Sequence, residues 1–255
     1  MTMLFRHSAE VRAAWPQLVA GALYVDGVGD VPALPPSDVA ARLAAHTDRA
    51  ARRLARDAES EFPEVAAWRR VFAQMGLRPT QYRCASEALL RRLRKEGSLP
   101  SIHPVVDLCN AVSAAYAVPV AALDADRVTG PLLEVRPARG DEPYTTFGGA
   151  VEHPAPGEIT YVDSSGRAHA RRWTNRQSGH SAVGPDTRRV LVVAEAVHAE
   201  ADAVVRELLR TLADAFAEQW PGGVISSARL DASWQEFEFA CAADEAGGAA
   251  AAHTR

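Results

Sequence analysis

With 255 residues, 47% hydrophobic and 24% charged, the chain is long enough for one large domain or two small ones and can build its own core. Its net charge of −4 argues against a general polyanion binder. No run of about 18 apolar residues is present to span a bilayer, the opening MTMLFRHSAEVRAAW lacks the apolar block of a signal peptide, and Cys84, Cys109 and Cys241 form no Cys-x-x-Cys pair, so the expectations are a cytoplasmic location, reduced thiols and no zinc site.

The first stretch, to about Val31, reads as a short helix around Ala9 to Trp15 followed by a strand over Ala22 to Val25, ended by the turn Asp26-Gly27-Val28-Gly29-Asp30. Pro35-Pro36-Ser37 marks a helix start. Val39, Leu43, Ala50 and Leu54 share one face of an amphipathic helix that runs to about Glu61, and Pro63 breaks it. A restarted helix covers Glu64 to Gln74 and stops at Gly76. Two further helices are expected, Ala85 to Glu96 closed by Gly97, and Pro104 to Tyr116 with proline in its first turn. Strand-like stretches follow at Leu132 to Arg136, Glu158 to Val162, Ala168 to Arg172 and Arg189 to Glu195, separated by Gly/Pro turns. The last strong helix is Ala201 to Trp220, with Val204, Leu208, Leu212 and Phe216 in one row widened by Val205 and Leu209. The tail after Cys241 has no periodicity and is expected to be disordered. With no repeat and no clean linker, one α+β domain over residues 1–240 is expected, comprising an N-terminal part with helical character (1–62) and a core plus C-terminal helix (63–240), then the tail 241–255.

From Trp68 to Leu191, about half the chain, a series of blocks occurs in order. They are Trp68-Arg69, Met75-Gly76-Leu77-Arg78-Pro79 with Tyr82-Arg83, Ser86 to Arg92, Leu99 to Asn110, Pro119 to Asp126, Gly157 to Asp163, Arg171 to Ser178 and Asp186-Thr187-Arg188. This pattern resembles the B3/B4 domain of phenylalanyl-tRNA synthetase β subunits, the domain that clears misacylated tRNA, and free-standing members of that family look closer than the synthetase. The resemblance implies a B3/B4-like mixed sheet core flanked by helices, with the acceptor end of tRNA and its amino-acid moiety as partners; no cofactor is expected. It also shows departures. Pro119 to Asp124 carries Ala121 where the synthetase has a pocket histidine, a synthetase glutamate falls at Val193, with Glu195 two residues on and on the same strand face, and a later pocket-lining segment has no counterpart.

Within these blocks, His103, Asp107 and Asn110 fall within roughly 60° of one another around a helix, opposite Val105, Leu108, Val112 and Tyr116. They are read either as a pocket wall, in which Asp107 grips an α-amino group or orients His103, or as a cap with a solvated face. Glu87 at a helix start is a substrate-binding candidate or a cap. Arg91, Arg92 and Lys95 could contact tRNA phosphates or form a solvated face, and Arg172 and Arg176 are further candidates for the nucleic acid. Trp173 could stack a terminal adenine while Asn175 or Gln177 hydrogen-bonds it, or Trp173 could be a buried hub. Phe147-Gly148-Gly149 lacks the helix and Lys-Ser/Thr of a phosphate loop and reads as a turn. No Gly-x-Ser-x-Gly, His-Glu-x-x-His or cysteine cluster appears, which leaves a positioned water and oxyanion donors as the chemistry of choice. The expected activity is trans-acting deacylation, with Asp107 or Glu195 on the amino group and His103 or Asn110 on water. The alternatives are a non-catalytic tRNA or amino-acid binding module and a hydrolase or transferase acting on a small amino-acid derivative.

Overall fold

The computed structural model describes residues 2–29 and 36–240. In chain order the first elements are β1 (Thr2–His7), α1 (Ala9–Ala14), β2 (Val19–Asp26), α2 (Pro36–Leu54), α3 (Pro63–Gln74), α4 (Ala85–Glu96) and α5 (Pro104–Tyr116). Then come β3 (Val120–Asp124), β4 (Leu132–Pro137), β5 (Tyr144–Thr145), β6 (Val151–Glu152), β7 (Ile159–Asp163), β8 (Ala170–Arg171) and β9 (Arg176–Gln177). The chain continues through β10 (Arg189–Ala196), α6 (Ala201–Gln219), β11 (Val224–Leu230) and β12 (Glu236–Ala240). Local chemistry sets the helix ends. Ser8 caps α1 by accepting from Val11 N, Pro63 and Pro104 occupy first-turn positions, and Gly97 closes α4 at a φ of 73°.

Two four-stranded sheets face one another. The first has the order β12-β1-β4-β7, with β1 and β4 parallel and its other pairs antiparallel; the second is antiparallel throughout, in the order β11-β2-β10-β3. Met3 and Phe5 of β1, Leu133 and Val135 of β4 and Tyr161 of β7 pack between the sheets against Ala20, Ala22 and Tyr24 of β2 and Leu191 and Val193 of β10. The other face of the second sheet, including Leu23, Val25, Val190 and Val192, is covered by α5 and α6. A third apolar cluster joins Ala50 of α2, Phe62, Val65 of α3, Leu90 and Leu93 of α4 and Ala114 of α5. Because β10 is covered on both faces, its sequence RVLVVAEA is apolar at almost every position rather than alternating. Successive side chains still point to opposite faces, so Leu191, Val193 and Glu195 all enter the space between the sheets, and Glu195 carries a carboxylate there at 1% exposure.

The expected helices are present, with α6 burying Val205, Leu208, Leu209, Leu212 and Phe216. Helix α2 ends at Leu54 rather than near Glu61. Burial of Phe62, beneath Arg53 at 4.2 Å, and the Arg53–Glu64 pair at 2.8 Å turn the chain back into α3 before the periodicity runs out. The strand expected over Ala168 to Arg172 contracts to β8, since Arg172 and Trp173 leave it with φ of 50° and 58°. Strands β1, β3, β11 and β12 were not among the expected elements. The two ends of the described chain meet in one sheet through the β1–β12 ladder, and β1 and β2 put the N-terminal part into both sheets alongside its helices α1 and α2. Pro35, Asp30 and the expected tail lie outside the described residues. Among the described residues, no helix is long and apolar enough to cross a membrane.

Candidate functional site

A cleft with an interior of about 70 Å³ opens where the C-terminal half of β10 and β3 face the β8–β9 turn. Its apolar walls are Ala85, Pro119, Val120, Ala121, Leu123, Ala170 and Val193, and its polar groups come from Tyr161, His169, Trp173 to Gln177 and Glu195. Ala121, where the resemblance implies a histidine in the synthetase, does face this cleft and pairs across the sheet with Val193, so two small apolar side chains leave space beside the acid.

Glu195 organises the cleft's inner end. Its Oε1 accepts from Trp173 Nε1 at 2.7 Å and lies 2.6 Å from His7 Nε2, and its Oε2 accepts from Tyr161 Oη at 2.5 Å. The Glu195 carbonyl accepts from Trp68 Nε1 at 3.1 Å. Arg12 NH2, a donor only, is 3.4 Å from His7 Nδ1, which must therefore accept, leaving the proton on Nε2 to be donated to Glu195. Burial lowers the His7 pKa against the opposing pull of Glu195, so the ring stays neutral. Burial, reinforced by Glu195, raises Tyr161 well above its ordinary value and keeps it a donor. Three of the roughly four acceptor positions of a carboxylate are thus occupied, and one on Oε2 remains.

The turn carrying Trp173 is held from several sides. Arg172 and Trp173 both adopt left-handed backbone, which L-residues reach at about 1–2 kcal/mol each. It is fixed by Arg172 N to Glu158 Oε1 at 2.8 Å, Trp173 N to Ile159 O at 2.7 Å and the indole bond to Glu195. Arg171 grips the same Glu158 with two bonds of 2.6 and 3.0 Å. The indole packs edge-on against Trp15 and Trp68, with centroids 4.9 and 5.0 Å away, each pair adding about 0.5–1.5 kcal/mol. Strain this well supported commonly marks a functional turn.

Of the sequence candidates, Trp173, Asn175, Gln177, Glu195 and Arg176 line the cleft. At 1% exposure the Trp173 ring cannot stack a base, and its indole N–H serves Glu195 instead. Asn175 Nδ2 donates to Arg83 O at 2.8 Å and Gln177 Nε2 to Ala122 O at 2.6 Å, so each amide presents its oxygen elsewhere. Thr174 Oγ1 is buried and unpartnered among the described residues. Arg172 lies over the Tyr82 ring at 4.6 Å, and Arg176 over Tyr144 at 5.5 Å with Glu152 at 3.3 Å.

The other candidates stand elsewhere. His103 caps α5, with Nδ1 accepting from Val105 N at 3.3 Å, which leaves its other nitrogen a donor in the neutral form that burial favours. Asp107 binds back to Ser101 Oγ and Ile102 N at 2.8 and 2.7 Å and borders a groove shared with Leu43, Ala44 and Thr47 of α2. Asn110 borders a different depression. His103 N also donates to Asp107 Oδ1 at 3.3 Å, so these two meet at the α5 N-terminus, while Asn110 faces a different depression from Asp107. Asp107–Ala111 and Val106–Asn110 form adjacent i, i+4 rows, and separate elements pack against each row. Glu87 is 1% exposed and binds Arg69 at 2.8 Å, within the first turn of the α4 end that reaches the cleft at Ala85. Arg91 and Arg92 pair with Glu59 and Glu96 at 3.7 and 2.8 Å, and with Lys95 they lie about 10–15 Å along α4 from that end.

Residues absent from the sequence reading are His7, Arg12, Tyr161 and His169. His169 sits between Asp163 Oδ2 at 3.1 Å and Ser181 Oγ at 2.9 Å, the composition of a hydrolytic triad. Ser181 is 0% exposed, however, and Asp163 also accepts from Thr129 N, Ser165 and Arg167 N, so this is a clamp between loops rather than a nucleophile. Its hydrogen bonds hold Asp163 well below the usual carboxylate range despite burial. Burial pushes the free thiols of Cys84 and Cys109 up to about 11 and about 12, which leaves both inert. Among the described residues, no group of three or more His, Cys, Asp or Glu side chains is placed to hold a metal ion.

No significant match to this chain was found among curated proteins. Among solved structures, an N-terminal fragment of the phenylalanyl-tRNA synthetase beta-subunit from Pyrococcus horikoshii is similar at a TM-score of 0.49 and 13% identity. The match covers 93% of this chain and 54% of that fragment, so the chain spans about half the fragment's length. The model of the B3/4 domain family matches residues 67–212, a range that holds α4, α5, the β8–β9 turn, β10 and every residue that lines the cleft. On that match the chain belongs to the B3/4 domain family.

Proposed function

We propose that the chain has a tRNA-related role and hydrolyses the ester of misacylated tRNA in trans. The supporting observation is the buried Glu195 carboxylate at the inner end of a small, mostly apolar cleft in a B3/4-family chain, with one acceptor position left. A carboxylate binds an α-ammonium group most strongly where it is desolvated, and Glu195, 1% exposed at the inner end of the cleft, suits it better than Asp107, which is only half-buried and borders a different groove. The amino-acid side chain then lies against Ala121, Val193 and Leu123. The ester reaches the rim, where the amide oxygens of Asn175 and Gln177 can orient water, and the substrate's ribose hydroxyl assists. Arg172 and Arg176, on the turn beside the cleft, suit the phosphates of the acceptor strand, which need only positioned positive charge.

Screening purified protein against all aminoacyl-tRNAs tests this reading. Hydrolysis of a subset, slowed at least tenfold by Glu195→Gln, is expected, and no hydrolysis of any would refute it. One observation favours a second reading, a binding module. The Glu195 carboxylate already holds three donors, and both nitrogens of His169 are occupied, so no free general base faces the cleft among the described residues. Saturable binding of aminoacyl-tRNA with its ester intact would support that reading.

A further inference from the structure

A second depression adjoins the cleft. It is lined by Ile102, Val106, Cys109, Asn110, Val120, Ala122, Phe147, Gln177, Ala182 and Val183, and it shares Val120 and Gln177 with the cleft. None of these residues is acidic. Two of the few large hydrophobics exposed to solvent, Phe147 at 75% and Ile102 at 67%, stand on its border. The Asn110 amide has no hydrogen-bond partner among the described residues and borders the same space.

The exposed phenyl ring is not on a loose loop. Phe147 sits in the turn between β5 and β6, closed by Thr146 N to Ala150 O at 2.8 Å and Gly149 N to Thr146 O at 3.0 Å. That turn is seated on Gly179, where a Cβ would come within 2.8 Å of Thr146 O and 3.1 Å of Phe147 Cα. Ser178 Oγ and Gly179 N both donate to Thr145 O, each at 2.9 Å. The fold thus fixes the backbone beneath an apolar ring that it leaves in water.

We infer that this depression seats the purine base of the terminal nucleoside that carries the acyl group, with Phe147 as its stacking platform and Asn110 reading its edge. The inference rests on reading the cleft as the aminoacyl site. A nucleoside esterified to a group in the cleft must place its base in an adjoining space, and this depression touches the cleft along Val120 and Gln177. A flat aromatic face with an apolar border suits stacking. A free carboxamide offers the donor and acceptor pair that matches adenine's N6 and N7. The buried Trp173 cannot supply the stack, and Phe147 fills that role.

Titration of the protein with the trinucleotide cytidylyl-cytidylyl-adenosine, against the same trinucleotide ending in uridine, tests the assignment. Saturable binding is expected, weakened about 5- to 100-fold by Phe147→Ala and retained by Phe147→Tyr. Asn110→Ala should bring the adenosine- and uridine-ended trinucleotides within twofold of each other. Because Phe147 is mostly solvent-exposed, its replacement leaves the fold intact. Absence of binding, or equal binding by wild type and Phe147→Ala, overturns the assignment. So does a sedimentation result in which the chain self-associates through this face and Phe147→Asp releases monomers, since the hydrophobics then belong to a protein contact. Phe147-dependent trinucleotide binding without hydrolysis of any aminoacyl-tRNA would remove the deacylase reading alone. Deacylation indifferent to Phe147→Ala would remove the base seat alone.

Discussion

Replacing Glu195 by alanine removes the one acceptor shared by three buried donors, His7 Nε2 at 2.6 Å, Trp173 Nε1 at 2.7 Å and Tyr161 Oη at 2.5 Å. His7, Tyr161 and Trp173 are at most 3% exposed, so none can turn to bulk water without displacing packed aromatics. Each stranded donor costs about 1–3 kcal/mol, and water entering from the adjoining cleft recovers part of it, giving a loss of about 3–6 kcal/mol for Glu195→Ala. Such a loss is a large part of the roughly 5–15 kcal/mol that holds a domain folded. Glutamine at the same position keeps one oxygen for His7 and Trp173, while Tyr161 rotates its proton away and accepts from the new amide. The loss for Glu195→Gln should therefore be smaller, about 1–2 kcal/mol. Urea denaturation of the three proteins at pH 7.5 measures both differences. If the alanine variant lost less than about 1 kcal/mol, or the two variants lost the same, Glu195 would not be the hub on which these donors depend.

Further outcomes follow from the same geometry. His198 is 8% exposed with neither ring nitrogen hydrogen-bonded among the described residues, so His198→Leu should raise stability by about 1 kcal/mol, read as a higher urea midpoint; a lower midpoint would show a partner for that ring. Burial lowers the pKa of both His7 and His198 below 6.5, so the unfolded chain binds protons that the folded chain refuses. Stability is then full above about pH 6.5 and falls as pH drops through the folded values, by at most about 1.4 kcal/mol per pH unit for each of these two rings. A flat urea midpoint between pH 7.5 and 5.5 would contradict this. Gly179→Ala should cost about 1–3 kcal/mol, because its Cβ would meet backbone at 2.8 and 3.1 Å, whereas Gly184→Ala, with nothing within 4 Å, should be neutral or slightly stabilising. Paired thermal melts compare them.

What the sequence disclosed follows the range of the interactions. Trp173, Asn175 and Gln177 lie within five residues, so a short block exposes them together, and Glu195 stands out as an acid in an otherwise apolar strand. His7 and Tyr161 reach that acid only because β1 and β7 belong to the sheet that faces β10, across 188 and 34 residues of chain. No local pattern encodes that meeting. The polar edge of α5 shows the opposite failure. A helical projection gives His103, Asp107 and Asn110 similar directions, but it does not say that α2 approaches beside Asp107 while the Phe147 turn and Gln177 approach beside Asn110. The missed strands β1 and β12 share that cause, since each is paired with the far end of the chain.

The central claim is that Glu195 receives the α-ammonium group of an aminoacyl ester. The most direct measurement compares hydrolysis of one aminoacyl-tRNA with that of its N-acetylated form, which has lost the positive charge but kept the ester. The wild-type chain is expected to hydrolyse the free-amine form at least tenfold faster, and Glu195→Gln to abolish the preference. Equal hydrolysis of both forms by the wild-type chain would contradict it.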